Sequence, residues 1–184
     1  MTLAETISQL KKMGTAQNRK IYAKHGVSGE MFGVSYANLA VLKKKIQIDH
    51  DLATGLWNAG VHDAMVLATM VADPNKLKAS DANRWVKDSK SYPIQDAFCK
   101  LVAQTSFGLK KAEQWIKSKD EWTSNAGWTL LCHLVGSDEV PNESLKAYLK
   151  TIESKIHDSP NRTRYAMNNC LISIGIQSLS LIHI

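Results

Sequence analysis

The fold is decided by a segment at residues 56–73, which reads LWNAGVHDAMVLATMVAD. An apolar helix end that carries a tryptophan is followed by a short polar turn, and a second helix then begins with an alanine near its start. Apolar residues continue at helical spacing until Asp73-Pro74, which ends the helix because the residue before a proline avoids the helical region. The segment predicts two consecutive α-helices packed as a pair.

The same layout recurs three more times along the chain. Anchored on Ala64, Ala97, Ala126 and Ala166, the repeats are spaced by 33, 29 and 40 residues. HEAT units are typically about 40–47 residues long, and irregular spacing is expected when turns vary while each pair stacks on its neighbours. We therefore predict an all-α solenoid of HEAT-like antiparallel helix pairs, curved with a concave basic face. An irregular globular helical bundle is the alternative.

Apolar periodicity extends this prediction over most of the chain. Ser35 caps a run in which Leu39, Leu42 and Ile46 share one face, and Asp49 opens the next helix. No segment alternates apolar and polar residues over a strand length, so no strand is expected. The remaining predicted helices cover residues 61–72, 81–88, 92–104, 109–117, 121–135, 142–157 and 161–176.

Composition limits the classes of protein that the chain can belong to. Its 23 Lys and Arg residues against 17 Asp and Glu give a net charge of +6, which is compatible with a polyanionic partner without proving one. No apolar stretch approaches the roughly 18 residues of a membrane span, so we expect a cytoplasmic protein and no membrane partner. The three cysteines lie in apolar runs, and the histidines never pair at ligand spacing. No metal and no cofactor are expected, and a monomer is predicted.

We predict one HEAT-like domain over residues 1–178. The last six residues, at 179–184, read LSLIHI and match the translation of a common sequencing-adapter end. They are interpreted as non-native, so the natural sequence is expected to continue differently after Ser178. An array without its terminal helices exposes an apolar flank, so lower stability than that of the intact protein is expected.

Short segments spread over most of the chain resemble those of the AlkD-like DNA alkylation repair family, a bacterial family of HEAT-like repeat proteins. The matching segments are Arg19-Lys20-Ile21-Tyr22, His25-Gly26, Phe32-Gly33-Val34, Lys44-Lys45-Ile46, Asp49-His50, Leu56-Trp57, His62-Asp63-Ala64, Ala72-Asp73-Pro74, Lys119-Asp120-Glu121-Trp122 and Arg164-Tyr165-Ala166-Met167-Asn168-Asn169, together with Gly14-Thr15. The resemblance implies a DNA glycosylase that releases cationic N3- or N7-alkylated purines from duplex DNA. It also implies alkylated double-stranded DNA as the partner, on the bacterial nucleoid.

The chemistry that such a family needs is modest. Alkylation at N3 or N7 already activates the purine as a leaving group, so one carboxylate can stabilise the oxocarbenium-like sugar and position a water. Aromatic rings can hold the cationic base by cation–π contact. The resemblance places the catalytic carboxylate at Asp96 and the matching aromatic at Tyr92. The alternative is that Asp96 only complements the dipole of its helix.

The resemblance, together with the residues at helix starts and turns, predicts further DNA or lesion contacts elsewhere in the chain. They are Trp122, Asn125, Asn169, Arg162, Arg164 and His62. Asn125 stands where the catalytic members carry an arginine, and Asn169 where they carry a tryptophan. Because an amide brings neither the charge nor the ring, DNA binding without catalysis is the first alternative function.

A protein–protein scaffold is the second alternative, since many HEAT-like arrays serve that role. For several residues, a purely structural role is the alternative to contact with DNA. Trp57, Trp85, Trp115 and Trp128 are interpreted as core anchors between helices, and the lysines at 43–45 as a solvated face. His62 and Asp63 can instead form an ordering pair at their turn.

Overall fold

All regular structure in the described residues is helical. The computed structural model describes residues 1–137 and 140–177, and this part contains no strand. The prediction of an all-α fold is confirmed, and each helix predicted after Ser35 is present. No helix within the described ranges has the length and hydropathy needed to cross a bilayer. The segment interpreted as adapter-derived, 179–184, lies outside the described residues.

The helices are numbered in chain order. They are α1 (Leu3–Met13), α2 (Ala16–Lys24), α3 (Tyr36–Ile46), α4 (His50–Asn58), α5 (His62–Val71), α6 (Ala79–Asp88), α7 (Tyr92–Val102), α8 (Gly108–Ile116), α9 (Glu121–Leu134), α10 (Asn142–Lys155) and α11 (Asn161–Gln177). Of these, α1 and α2 precede Ser35, where the sequence analysis predicted no helix.

Several helices begin where a side chain satisfies a free backbone N–H. The side chain of Thr2 accepts from the backbone of Glu5, and the Glu5 carboxylate accepts from the backbone of Thr2, which completes a capping box at α1. The side chains of Ser35, Asp49 and Asp120 cap α3, α4 and α9 in the same way. These caps fix the residue at which each helix starts.

The chain divides into two compact units, which meet in sequence at Leu101 and Val102. In the first unit, α4 packs against α5, α3 also packs against α5, and α1 contacts both α4 and α5. Its aromatic core is a stack of Trp57 on Trp85, with ring centroids 4.2 Å apart and planes within 4° of parallel. Phe98 of α7 tilts against both indoles. The stack therefore joins α4, α6 and α7.

The second unit is built around α9. This helix packs against α8 and α11, and α10 also contacts α11. A side chain at Gly127 would place its Cβ 2.4 Å from the backbone nitrogen of Ile116, so only glycine allows this approach of α9 to α8. The expected close packing within a helix pair is therefore present, at the residue after the anchoring Ala126.

The predicted role of four tryptophans as core anchors is confirmed. Trp57, Trp85, Trp115 and Trp128 are each no more than 3% exposed. Trp122 is half-buried at the start of α9. A side chain that is both anchored and partly open to solvent can contact a ligand, and Trp122 alone of the five has that position.

A buried carboxylate ties the segment between α2 and α3 to the first turn of α5. Asp63 has no exposed surface, and its two oxygens accept hydrogen bonds from the backbone N–H groups of Phe32, Gly33 and Val34 at 2.6, 3.3 and 2.6 Å. The carboxylate of Asp63 is therefore bonded to the backbone of residues 32–34, and not to His62 as in the ordering pair offered as an alternative.

Replacing this carboxylate is expected to destabilise the protein strongly. In Asp63→Ala the three N–H groups lose their charged acceptor, and we expect the free energy of unfolding to fall by on the order of 3 kcal/mol. Urea unfolding followed by circular dichroism measures the change. The control is Asp51→Ala, an exposed aspartate in the first turn of α4. Equal losses in the two variants would contradict a structural role for Asp63.

Candidate functional site

The predicted carboxylate lies on an exposed face of α7. Tyr92 is the first residue of that helix and Asp96 follows one turn later, so their side chains share a face. Tyr92 is 41% exposed and Asp96 is exposed too, whereas Ile94 and Phe98 point into the core. Asp96 and Tyr92 are therefore brought together at the surface of the first unit.

Two further tyrosines belong to this region, and the sequence analysis did not select them. Tyr36, the first residue of α3, is 45% exposed. Partial burial raises the pKa of its hydroxyl to about 12, with smaller contributions from Tyr22, Asp96 and Tyr92. The hydroxyl therefore stays protonated at neutral pH, within electrostatic reach of Asp96. We call Tyr22, Tyr36 and Tyr92 the tyrosine cluster.

Tyr22 is fixed in the cluster by a hydrogen bond. Its hydroxyl donates to the backbone oxygen of Val34 at 2.6 Å, and burial followed by the charge of Asp63 raises its pKa. His25, at the end of α2, sets the edge of its ring against Tyr92, with centroids 6.5 Å apart. Tyrosines from α2, α3 and α7 thus lie in one region of the first unit, and Asp96 lies within electrostatic reach of one of them, Tyr36. Such aromatic faces beside a carboxylate suit a flat, electron-poor ring.

His62 lies in the core rather than on the surface. Only 4% of the residue is exposed, and its ring packs on Tyr22 with centroids 5.5 Å apart. Burial, partly opposed by the charge of Asp63, lowers the pKa of the imidazole, which is therefore neutral at neutral pH. A DNA phosphate could not reach so enclosed and uncharged a ring, so we do not carry His62 forward as a phosphate contact.

In the second unit, two of the predicted contacts, Trp122 and Arg162, meet where α9 and α11 begin. The guanidinium of Arg162 lies over the ring of Trp122, 5.8 Å from its centroid. The Glu121 carboxylate accepts from the backbone N–H of Arg162 at 2.7 Å, and Thr163 donates its hydroxyl to the backbone oxygen of Glu121. Glu121 thus fills the helix-start position at α11 that could otherwise hold a phosphate.

The remaining predicted contacts differ in exposure. Arg164 is exposed on α11 and Asn169 is half-buried on the same helix. Asn125 is only 6% exposed, within the buried face of α9. Of the predicted contacts in the second unit, Arg162 and Arg164 are therefore the cationic ones, while Asn125 belongs to its interior. Within residues 1–137 and 140–177, no three His, Cys, Asp or Glu side chains cluster closely enough to hold a metal ion.

Comparison with known proteins places these features in a family. A family profile described as DNA alkylation repair enzyme matches residues 6–183. Two similar proteins, both uncharacterised, come from Listeria innocua and Listeria monocytogenes, at 25% and 24% identity over 183 residues. Each alignment covers 96% of this chain and 80% of the relative.

A similar solved structure comes from a family described as related to the HEAT-like repeat DNA glycosylases, with affinity for branched DNA structures. The TM-score is 0.93 at 30% identity, covering 100% of this chain and 80% of the other. This likeness confirms the prediction of a HEAT-like fold. With a family profile matched over nearly its whole length, the chain belongs to the DNA alkylation repair enzyme family.

Proposed function

We propose that this protein binds branched or locally distorted DNA. The observation that carries the proposal is the likeness to a protein with affinity for branched DNA structures, which extends over the full length of this chain. The net charge of +6 favours a polyanionic partner over a neutral one. A protein–protein scaffold, the alternative from a different class, has no comparable support.

The exposed side chains suit DNA in which base pairing is interrupted. Aromatic rings such as Tyr36 and Tyr92 offer faces on which an unpaired base can stack, and stacking tolerates any base sequence. Arg164, exposed on α11, and Arg162, half-buried over Trp122, carry guanidinium groups that can bind phosphate oxygens bidentately. Linear duplex DNA would use only the second kind of contact, so a preference for branched DNA follows.

The protein is expected to bind a three-way DNA junction more tightly than a linear duplex of the same length. Fluorescence anisotropy over a series of salt concentrations measures both affinities. Because cationic side chains displace counterions, the affinity should fall steeply as salt rises. Equal affinity for the two DNAs would contradict recognition of branching, and absence of binding at low salt would favour the scaffold.

Loss of one guanidinium is expected to weaken DNA binding without changing stability. In Arg164→Ala the affinity for the junction should fall roughly 3- to 10-fold. The slope of log affinity against log salt concentration should become shallower by the equivalent of about one phosphate contact. Lys146→Ala is the matched control, since it removes an exposed positive charge near the start of α10. A similar weakening in both variants would indicate a nonspecific effect of net charge.

Excision of alkylated bases is a second candidate function. It is favoured by the exposed carboxylate of Asp96, which lies one helical turn from Tyr92 and within electrostatic reach of Tyr36. A cationic alkylpurine could rest on the tyrosine rings while the carboxylate stabilises the positive sugar left by its departure. Because Asn125 and Asn169 supply neither charge nor ring, Asp96 and the tyrosine cluster would have to support this reaction alone.

If the protein is a glycosylase, Asp96→Asn should abolish most of its activity. The amide keeps the shape of the side chain but loses the charge, and we expect the rate to fall on the order of 10²- to 10³-fold. Release of N7-methylguanine and N3-methyladenine from alkylated duplex DNA measures it, with Asp51→Asn as the control. A wild-type protein that binds junctions and releases no base would eliminate this second function and leave the first.

A further inference from the structure

Two of the three cysteines meet between α9 and α11 of the second unit. Cys132 belongs to α9 and Cys170 to α11, and the two helices pack against each other. The thiols of these two residues are hydrogen-bonded to each other. Both residues carry thiols rather than a disulfide. Their sulfur atoms are therefore neighbours before any bond joins them.

The backbones of the two helices approach closely at this point. The sulfur of Cys132 lies 3.9 Å from the backbone oxygen of Ala166 in α11. In an α-helix that oxygen faces the amide four residues later, so Cys132 lies against the turn that carries Cys170. A cysteine side chain is short, and its sulfur reaches the backbone of another helix only where the two helices are close. A disulfide needs such an approach, with Cα atoms no more than about 7 Å apart.

The two thiols differ in exposure and in the ease with which they lose a proton. Cys132 is half-buried and Cys170 has no exposed surface, so an oxidant from solution meets Cys132 first. The hydrogen bond to Cys132, followed by burial, raises the pKa of the Cys170 thiol. Cys170 therefore keeps its proton and donates it to the sulfur of Cys132. A hydrogen bond to the charged form of a group favours that form, so Cys132 is the better nucleophile of the two.

We propose that a hydroperoxide oxidises Cys132 and Cys170 to a reversible disulfide that fastens α11 to α9. This inference is independent of the proposed binding to DNA. It assigns a modification site to two residues that the sequence alone presents as small apolar side chains in separate helices.

The reaction with hydrogen peroxide proceeds in two steps. The thiolate of Cys132 attacks one peroxide oxygen, the O–O bond breaks, and the other oxygen leaves as hydroxide, which takes up a proton to form water. Cys132 is then a sulfenic acid. The sulfur of Cys170 attacks the sulfur of Cys132, and its proton leaves with the hydroxyl group as a second water. The two thiols together lose two electrons, which the peroxide gains.

The disulfide would close a loop that contains residues 133–169 and with them α10. Such a bond restricts the unfolded chain, and it does so more strongly for a long loop than for a short one. It would also keep α11 from separating from α9. Since Arg162 and Arg164 lie in the first turn of α11, oxidation would hold both of them beside the start of α9.

Counting the thiols tests the reaction. The purified chain is reduced, freed of the reductant and treated with hydrogen peroxide, and the remaining thiols are alkylated after unfolding and counted by mass spectrometry. We expect the three thiols to fall to one, with a pair of peptides joined through Cys132 and Cys170. Dithiothreitol should restore all three. Oxidation that stops at a sulfinic or sulfonic acid of Cys132, or that joins two chains, would overturn the proposal.

Two variants identify the bond. Cys132→Ser should keep both of its thiols under peroxide, and its half-buried position should accept a hydroxyl, which circular dichroism checks. Cys99→Ala is the matched control, because it removes the cysteine of α7 in the first unit. This variant should still lose both of its thiols to a disulfide. If it kept them, Cys99 would be a partner in the bond and the assignment would be wrong.

The melting temperature gives an independent measurement. Oxidised wild-type protein should melt roughly 5–10 °C above the reduced protein, because the cross-link restricts the unfolded chain. Cys132→Ser should melt at the same temperature with and without peroxide. Oxidised wild-type protein that melted at or below the temperature of the reduced form would show that the bond distorts the packing of α9 and α11, which would overturn its fastening role.

Discussion

The hydrogen bonds accepted by the buried carboxylate of Asp63 hold the candidate site of the first unit in place. They fix the backbone at residues 32–34, and that backbone in turn positions two of the three clustered tyrosines. Tyr22 donates its hydroxyl to Val34, and Tyr36 opens α3 two residues later. A charged group without exposed surface is stable only when it is fully hydrogen-bonded, so this segment has little freedom to move independently of α5.

Most of the fold could be predicted from the sequence because most helices bury a regular apolar face. The repeated layout around Ala64, Ala97, Ala126 and Ala166 identified the helices of both units. The exception is informative: α2 has no buried residue, so it carries no apolar periodicity to recognise. It is held instead by the cap of Thr15 and by bonds from Asn18, Arg19 and Tyr22 to residues 32–34. For α1, the pairing of Thr2 with Glu5 was a readable signal that the sequence analysis missed.

The candidate site was only partly predictable, for a different reason. Asp96 and Tyr92 lie one turn apart on one helix, a relation that sequence spacing reveals directly. Tyr22 and Tyr36 reach the same place from other helices, through contacts that no local pattern encodes. A shared feature was nevertheless present, since Tyr36 and Tyr92 each follow a serine at the start of a helix. The sequence also could not show that His62 faces the core, because the sequence of a short turn does not reveal which of its side chains point inward.

The carboxylate at the start of α11 bears on how the second unit could hold DNA. Glu121 already occupies the backbone N–H of Arg162, so a phosphate would meet long guanidinium side chains instead of a rigid ring of amides. Rigid amides hold a phosphate in one fixed position and orientation. Side chains with several rotatable bonds can follow phosphates whose spacing and direction change abruptly, as they do where strands part. With this helix end occupied, the second unit would bind regular duplex DNA less tightly, but it would accept phosphates in irregular positions.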